Sequence, residues 1–351
     1  MVKHLIDFND ISVERWEKIH KLAVDIKNNP EKYAEECKGK ILATLFYEPS
    51  TRTMLSFQTA MLRLGGSVIG FDNPSNSSVS KGENLKDTIA IVSSYVDLLV
   101  MRHPLEGAAM AASMFSSKPV INAGDGGHLH PTQTLTDLTT IMLEKGKLTG
   151  LNIGFCGDLK NGRTVHSLLK AFLRYKGNKF YFISTKKLNI PDYLLEKLKE
   201  TDNEFVFAET LEECMGDIDV LYMTRIQRER FDSEKEYLKQ KGVFILDTEK
   251  MEKAKKDLIV LHPLPKVDEI DIEVDDDPRA KYFEQAENGV YVRMALIMTL
   301  LSENNEELSY NFSEKRECSN PKCITQTERY LKTVVDEDDR EFCKYCNHKL
   351  I

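Results

Sequence analysis

From "KILATLFY" to "VYVRMALIMTLLSE", short apolar runs alternate with helical stretches, and that rhythm leaves few architectures open. A continuous apolar run of strand length reads as a strand buried on both faces. Such strands form parallel sheets, because a crossover helix must carry the chain back to the same edge. In the first half, "KILATLFY", "SVIGF", "DLLVMRH" and "PVINAGD" read this way. In the second half, so do "LNIGFCG", "KFYFIST", "EFVFAE", "DVLYMTR", "GVFILD" and "LIVLHP". A leading helix, "SVERWEKIHKLAVDIKNN", starts at a Ser12 N-cap. Its Val13, Trp16, Ile19, Leu22 and Ala23 recur at helical spacing and should face a core.

The predicted fold is therefore α/β, with two doubly wound parallel-sheet domains and a small four-cysteine domain at the end. The 351 residues allow this division. The expected boundaries are 1–135 for the first domain and 136–302 for the second. A last helix near 289–302 is free to pack back on the first. A polar linker over 303–316 and a tail over 317–351 complete the chain. The net charge of -8 disfavours nucleic acid and anionic lipid as nonspecific partners. The start "MVKHLIDFND" has no apolar leader core, and no apolar run is long enough to span a bilayer. Cys37, Cys156 and Cys214 are scattered, which suits a reducing cytoplasm.

Polar residues cluster where strands end. In "FYEPSTRTMLSF", Ser50, Thr51, Arg52 and Thr53 stand where a strand gives way to a helix. Free N–H groups at a helix start, with hydroxyls and a guanidinium, make an oxyanion or phosphate cradle; a plain helix cap is the simpler alternative. "VMRHP" puts Arg102 at a strand end, and "GDGGHLHPTQT" puts His130 and Gln133 at a helix entry. Arg163 in "GDLKNGRTVHS", and Arg225 with Gln227 in "LYMTRIQRER", also follow strands. Converging arginines suit a substrate with two carboxylates. In "LHPLPKVDEI", Pro263 and Pro265 fix the backbone at another strand end. "SSVSKGENL" is a polar loop with Ser78 and Lys81.

Taken together, "FYEPSTRT", "SKGE", "MRHP", "HPTQT", "GDLKNGRTVHS", "MTRIQRER" and "HPLPKVDEI" resemble, in order, the aspartate carbamoyltransferase catalytic-chain family across nearly all of residues 1–303. Ornithine carbamoyltransferases share the first elements. They typically read "HCLP" where this chain reads "HPLP" at His262–Pro265, and the "MTRIQ" arginine and glutamine favour a dicarboxylate.

The resemblance implies transfer of a carbamoyl group from carbamoyl phosphate to L-aspartate, at the start of pyrimidine synthesis. It implies that Ser50, Thr51, Arg52 and Thr53 hold the phosphate. Thr53, Arg102 and His130 would stabilise the carbonyl oxygen, and Gln133 with the Leu264 and Pro265 carbonyls would hold the carbamoyl amide. Arg163, Arg225 and Gln227 would bind aspartate. Ser78 and Lys81 would belong to a mobile loop that enters a neighbouring subunit's site, so a homotrimer is implied, with pairing of trimers left open. Glu48 and Arg230 would take part in domain closure, Glu48 pairing with Arg163 or Arg230. Catalysis would need neither a metal nor another cofactor.

The tail carries Cys318, Cys323, Cys343 and Cys346, spaced C-x4-C and C-x2-C, which fits a structural tetrahedral zinc site. "CSNPKCITQTE" and "FCKYCNHKL" resemble the zinc domain of the same family's regulatory chain. The nucleotide-binding domain that would precede it has no room in the linker. A nucleic-acid zinc ribbon fits poorly with the acidic "DEDDRE".

Overall fold

The computed structural model describes residues 4–226, 231, 233–240, 242–302, 311–313, 316–335 and 340–350. Contacts divide the chain into residues 1–135 with 289–351, and residues 136–288.

In the first unit, α1 (Val13–Asn28) begins where Ser12 Oγ accepts from Arg15 N at 3.2 Å. Its buried stripe is Trp16, Ile19, Ala23 and Ile26, while Val13 and Leu22 lie half-buried at its edges. The sheet follows as β1 (Ile41–Phe46), β2 (Ser67–Phe71), β3 (Leu98–His103) and β4 (Val120–Asp125), with α2 (Thr51–Arg63), α3 (Leu85–Tyr95) and α4 (Ala108–Phe115) between them. All pairs are parallel, in the order β2-β1-β3-β4. The chain leaves β1 toward one side and returns to the other side with β3. This reversal is a topological switch point, and open α/β sheets bind ligands outside its carboxyl ends.

The second unit starts within α5 (Pro131–Lys145) and ends within α10 (Tyr282–Ser302). It contains β5 (Asn152–Cys156), α6 (Arg163–Phe172), β6 (Lys179–Ile183), α7 (Asp192–Lys199), β7 (Glu204–Ala208), β8 (Val220–Met223), α8 (Glu234–Gln240), α9 (Thr248–Lys253) and β9 (Ile259–Leu261). The strands are parallel in the order β7-β6-β5-β8-β9, so the switch point lies between β5 and β8. Phe155 on β5 stacks against Phe180 and Phe182 of the neighbouring β6. "GVFILD" is not a strand of this sheet. Gly242 sits at φ 75, and Leu246 makes only a single bridge, to Ile270. Its Phe244 and Leu246 are buried in the core all the same, which explains the misleading apolar run.

The tail packs onto the first unit. Asn311–Phe312 (β10), inside the stretch read as linker, pairs antiparallel with Val334–Val335 (β11). Glu106 anchors the other side: its N–H donates to Lys322 O, its carbonyl accepts from Ile324 N, and its carboxylate accepts from Asn320 Nδ2 at 2.7 Å. Helix α4 shows why a cover is needed. Ala108 through Ser113 are all buried, so the helix has no polar face. Ile324, Val334 and Tyr345 of the tail join Met101, Ala111 and Ala112 in one continuous core. At Gly107, φ is 80, and an added Cβ would lie 2.6 Å from the Tyr345 carbonyl oxygen. We therefore expect Gly107→Ala to detach the tail. Faster amide exchange across residues 316–335 checks this, and wild-type protection there counts against it.

Candidate active site

The ends of β1 and β3 lie side by side, with Phe46 in register with Arg102. Beyond β1, α2 begins at Thr51, with Ser50 in the N-cap position. Ser50 does not cap the helix with its side chain; its hydroxyl donates to Thr53 Oγ1 at 3.1 Å. That leaves the Thr53 O–H to donate elsewhere and the first N–H groups of α2 facing outward. Thr53 is buried, whereas Thr51 and Arg52 are exposed.

Arg102 is only 8% exposed. Its Nη1 donates to the Ala123 carbonyl on β4 at 3.3 Å. Its Nη2 lies 2.9 Å from Glu48 Oε2, an ion pair rather than an aligned hydrogen bond. Burial lowers its pKa; the Glu48 charge opposes the shift and the Arg52 charge adds to it. A guanidinium stays protonated in spite of this. Its Nε is buried and makes no hydrogen bond among the described residues. Leaving such a donor unmet costs about 1–3 kcal/mol, which a bound oxyanion would recover. Arg102 paired with Glu48, and Arg52 near enough for its charge to be felt, make a net cationic site at a helix start.

His130 leads into α5 and is buried. Thr132 Oγ1 lies 3.3 Å from its Nδ1. A hydroxyl donating there places the ring proton on Nε2, where it can polarise a carbonyl. The carbonyl of His130 accepts from Gln133 N at 3.0 Å, so Gln133 sits in the first turn. Ser78 and Lys81 occupy an exposed 3-10 turn, Ser78–Lys81, that precedes α3.

In the second unit, Arg163 opens α6 after β5 and Arg225 follows β8. Both arginines are half-buried and flank the switch point. Gln227 and Arg230 lie outside the described residues. Leu264 follows β9 with φ 52 and a cis bond to Pro265. The sequence reading missed what fixes this turn. Leu264 N donates to His262 Nδ1 at 2.8 Å, so the His262 proton is on Nε2, 2.8 Å from Glu269 Oε1. Burial disfavours the Glu269 carboxylate, but the hydrogen bond from His262 and those from backbone N–H groups, Val267 among them, outweigh this and lower its pKa. Gln285 accepts from His262 N and donates to Asp137, which also accepts from Tyr222. The quoted "HPLPKVDEI" contained both His262 and Glu269, the one available signal.

In the tail, the four cysteine Sγ atoms are buried and lie within 4.8 Å of one another. The Cys318 and Cys346 sulfurs are 3.5 Å apart, far beyond an S–S bond. A tetrahedral ion with sulfurs at about 2.3 Å sets them about 3.8 Å apart, so the cluster fits a zinc ion. Four buried thiols this close together would repel one another as bare thiolates, and a divalent cation would accept all four as ligands.

Two family models match the chain. The aspartate/ornithine carbamoyltransferase carbamoyl-P binding domain matches residues 3–143, and the Asp/Orn binding domain matches residues 149–300. The aspartate carbamoyltransferase catalytic subunit of Clostridium botulinum (strain Eklund 17B / Type B) is 60% identical over 300 residues, 85% of this chain and 98% of that protein. That of Clostridium perfringens (strain 13 / Type A) is 61% identical over 302 residues, 86% and 98% respectively. Among solved structures, the catalytic subunit of M. jannaschii aspartate transcarbamoylase aligns with TM-score 0.81 at 50% identity, covering 87% of this chain and all of that one. Aspartate transcarbamoylase from Trypanosoma cruzi, in complex with N-(phosphonacetyl)-L-aspartic acid, gives 0.79 at 39% identity, covering 84% and 95%. The tail lies beyond the end of both family models. Over its two α/β units, the chain belongs to the aspartate/ornithine carbamoyltransferase family.

Proposed function

We propose that this chain is an aspartate carbamoyltransferase that converts carbamoyl phosphate and L-aspartate to N-carbamoyl-L-aspartate and phosphate. The observation that carries the reading is the cationic site of Arg52, Arg102 and Thr53 at the first sheet's switch point. Relatives that share most of the chain and bear the aspartate name support it.

In the reaction, the aspartate amine attacks the carbamoyl carbon. A C–N bond forms, the C–O bond to phosphate breaks, and the proton lost by the amine leaves with the inorganic phosphate. Ser50, Thr51, Arg52 and Thr53 hold the phosphate. Thr53, Arg102 and His130 donate to the carbonyl oxygen as its charge grows, which is usually the largest catalytic term. Gln133 and the backbone carbonyls of Leu264 and Pro265 accept from the carbamoyl NH2. Arg163, Arg225 and Gln227 take the carboxylates of aspartate, and Lys81, with Ser78 beside it, reaches them from a neighbouring subunit of a homotrimer. Glu48 and Arg230 belong to closure. Holding both substrates in place supplies much of the remaining acceleration.

Cys318, Cys323, Cys343 and Cys346 hold one structural zinc in a module akin to the zinc domain of the family's regulatory chain. The enzyme works in the cytoplasm. In support, Cys37, Cys156 and Cys214 are buried thiols. No helix among the described residues is long and apolar enough to cross a membrane.

One assay tests the reading: carbamoyl phosphate with L-aspartate or with L-ornithine, each with and without CTP. The expected product is N-carbamoyl-L-aspartate, with turnover insensitive to CTP. Product from ornithine alone would sink the assignment, and strong CTP inhibition would sink the view that the tail lacks a nucleotide sensor.

A further inference from the structure

Residues from the far end of the chain close the N-terminus of α3. A helix start leaves backbone N–H groups with no intrahelical partner. Asn84 takes one of them, its side chain accepting from Asp87 N at 2.8 Å. The tail takes the two before it. Glu328 Oε1 accepts from Leu85 N at 3.1 Å, and Tyr330 Oη accepts from Lys86 N at 3.0 Å. These partners are 243 and 244 residues apart in sequence. The Glu328 carboxylate also meets the positive end of the helix dipole.

The segment that enters this capped end is the Ser78–Lys81 turn, followed by Gly82 at φ 92. Glu83 is tied back to the helix, its carboxylate accepting from Thr88 Oγ1 at 2.7 Å. The exit direction of the Lys81 turn is therefore set at a helix end that the tail holds. A second tail contact reaches the other loop of interest. Asn347 Nδ2 lies 2.8 Å from His128 Nε2, and His128 Nδ1 lies 3.2 Å from Asp125. The same Asp125 carboxylate accepts from Leu129 N, next to His130.

We propose that Glu328 and Tyr330 are positioning residues for Lys81, so that the tail completes α3 and aims the loop that precedes it. The inference rests on the reading that Lys81 contacts aspartate. The full-length chain is compared with Glu328→Ala, Glu328→Gln and Tyr330→Phe. The measurements are kcat and KM for L-aspartate, zinc content, and amide exchange over residues 78–88. In Glu328→Ala, we expect KM for aspartate to rise about fivefold, the usual scale of a lost helix cap. Leu85 should exchange faster while zinc stays at one equivalent per chain. Glu328→Gln, whose amide oxygen still accepts from Leu85 N, should stay near wild type. Tyr330→Phe should move in the same direction as Glu328→Ala, by less.

A Glu328→Ala chain with wild-type KM and exchange overturns the proposal. So does loss of activity in step with zinc in both Glu328 variants, the mark of a module that has come apart. A wild-type chain that makes no N-carbamoyl-L-aspartate overturns the activity itself, and that is seen before any variant is read.

Discussion

Arg102→Gln is expected to lower kcat by about a hundred- to a thousandfold, the range seen when one preorganised oxyanion donor is lost. The size of the effect follows from how the side chain is held. Ala123 O and Glu48 fix the guanidinium from two sides, and burial keeps competing water away. A donor fixed before the reaction pays no reorganisation cost as charge builds on the carbonyl oxygen. Gln is uncharged and too short to span the same partners. Its loss should therefore appear in kcat more than in the aspartate KM, because the interaction strengthens only as the tetrahedral oxyanion forms. Steady-state kinetics with both substrates varied reads the split. A variant within about threefold of wild-type kcat would remove Arg102 from the catalytic step.

The two sheets were legible in the sequence because their inner strands are buried on both faces and read as unbroken apolar runs. "GVFILD" marks the limit of that signal. Its Phe244 and Leu246 are as buried as strand residues, but burial and ladder hydrogen bonds are separate properties, and a run of letters reports only burial. At the candidate site, the letters indicated which polar residues follow strand ends. They could not tell that Ser50 turns to Thr53, or that Glu48 turns to Arg102, since such choices depend on strand register. The four cysteines announced a cluster through local spacing. Where the tail sits depended on Glu106 meeting Asn320 and on Leu85 meeting Glu328, pairs more than two hundred residues apart. One clue was present and unread. "GAAMAASMF" has no polar face, and a helix of that kind must be covered on both sides.

That cover gives the second large expectation. Cys343→Ser should reduce bound zinc from about one per chain to near zero and release the whole tail from α4. Structural zinc supplies about 10–16 kcal/mol in small metal-built modules. This tail has little else of its own. Its strands are two residues each, and its buried Ile324, Val334, Val335, Tyr345 and Leu350 belong to the same core cluster as the residues of α4. Segments this short rarely fold without metal or disulfide support. Undocking would bare Ala108–Phe115 and uncap α3 at Leu85 and Lys86 together. The variant should therefore bind a hydrophobic dye, aggregate more readily and lose amide protection at α3 and α4. Protection in the second unit should hold, because its core cluster draws on none of these residues. Metal analysis with residue-resolved amide exchange decides the matter. A zinc-free Cys343→Ser chain that keeps wild-type protection at Ala108–Ser113 would mean that apolar packing alone fastens the tail, with the metal holding only the cysteine loops.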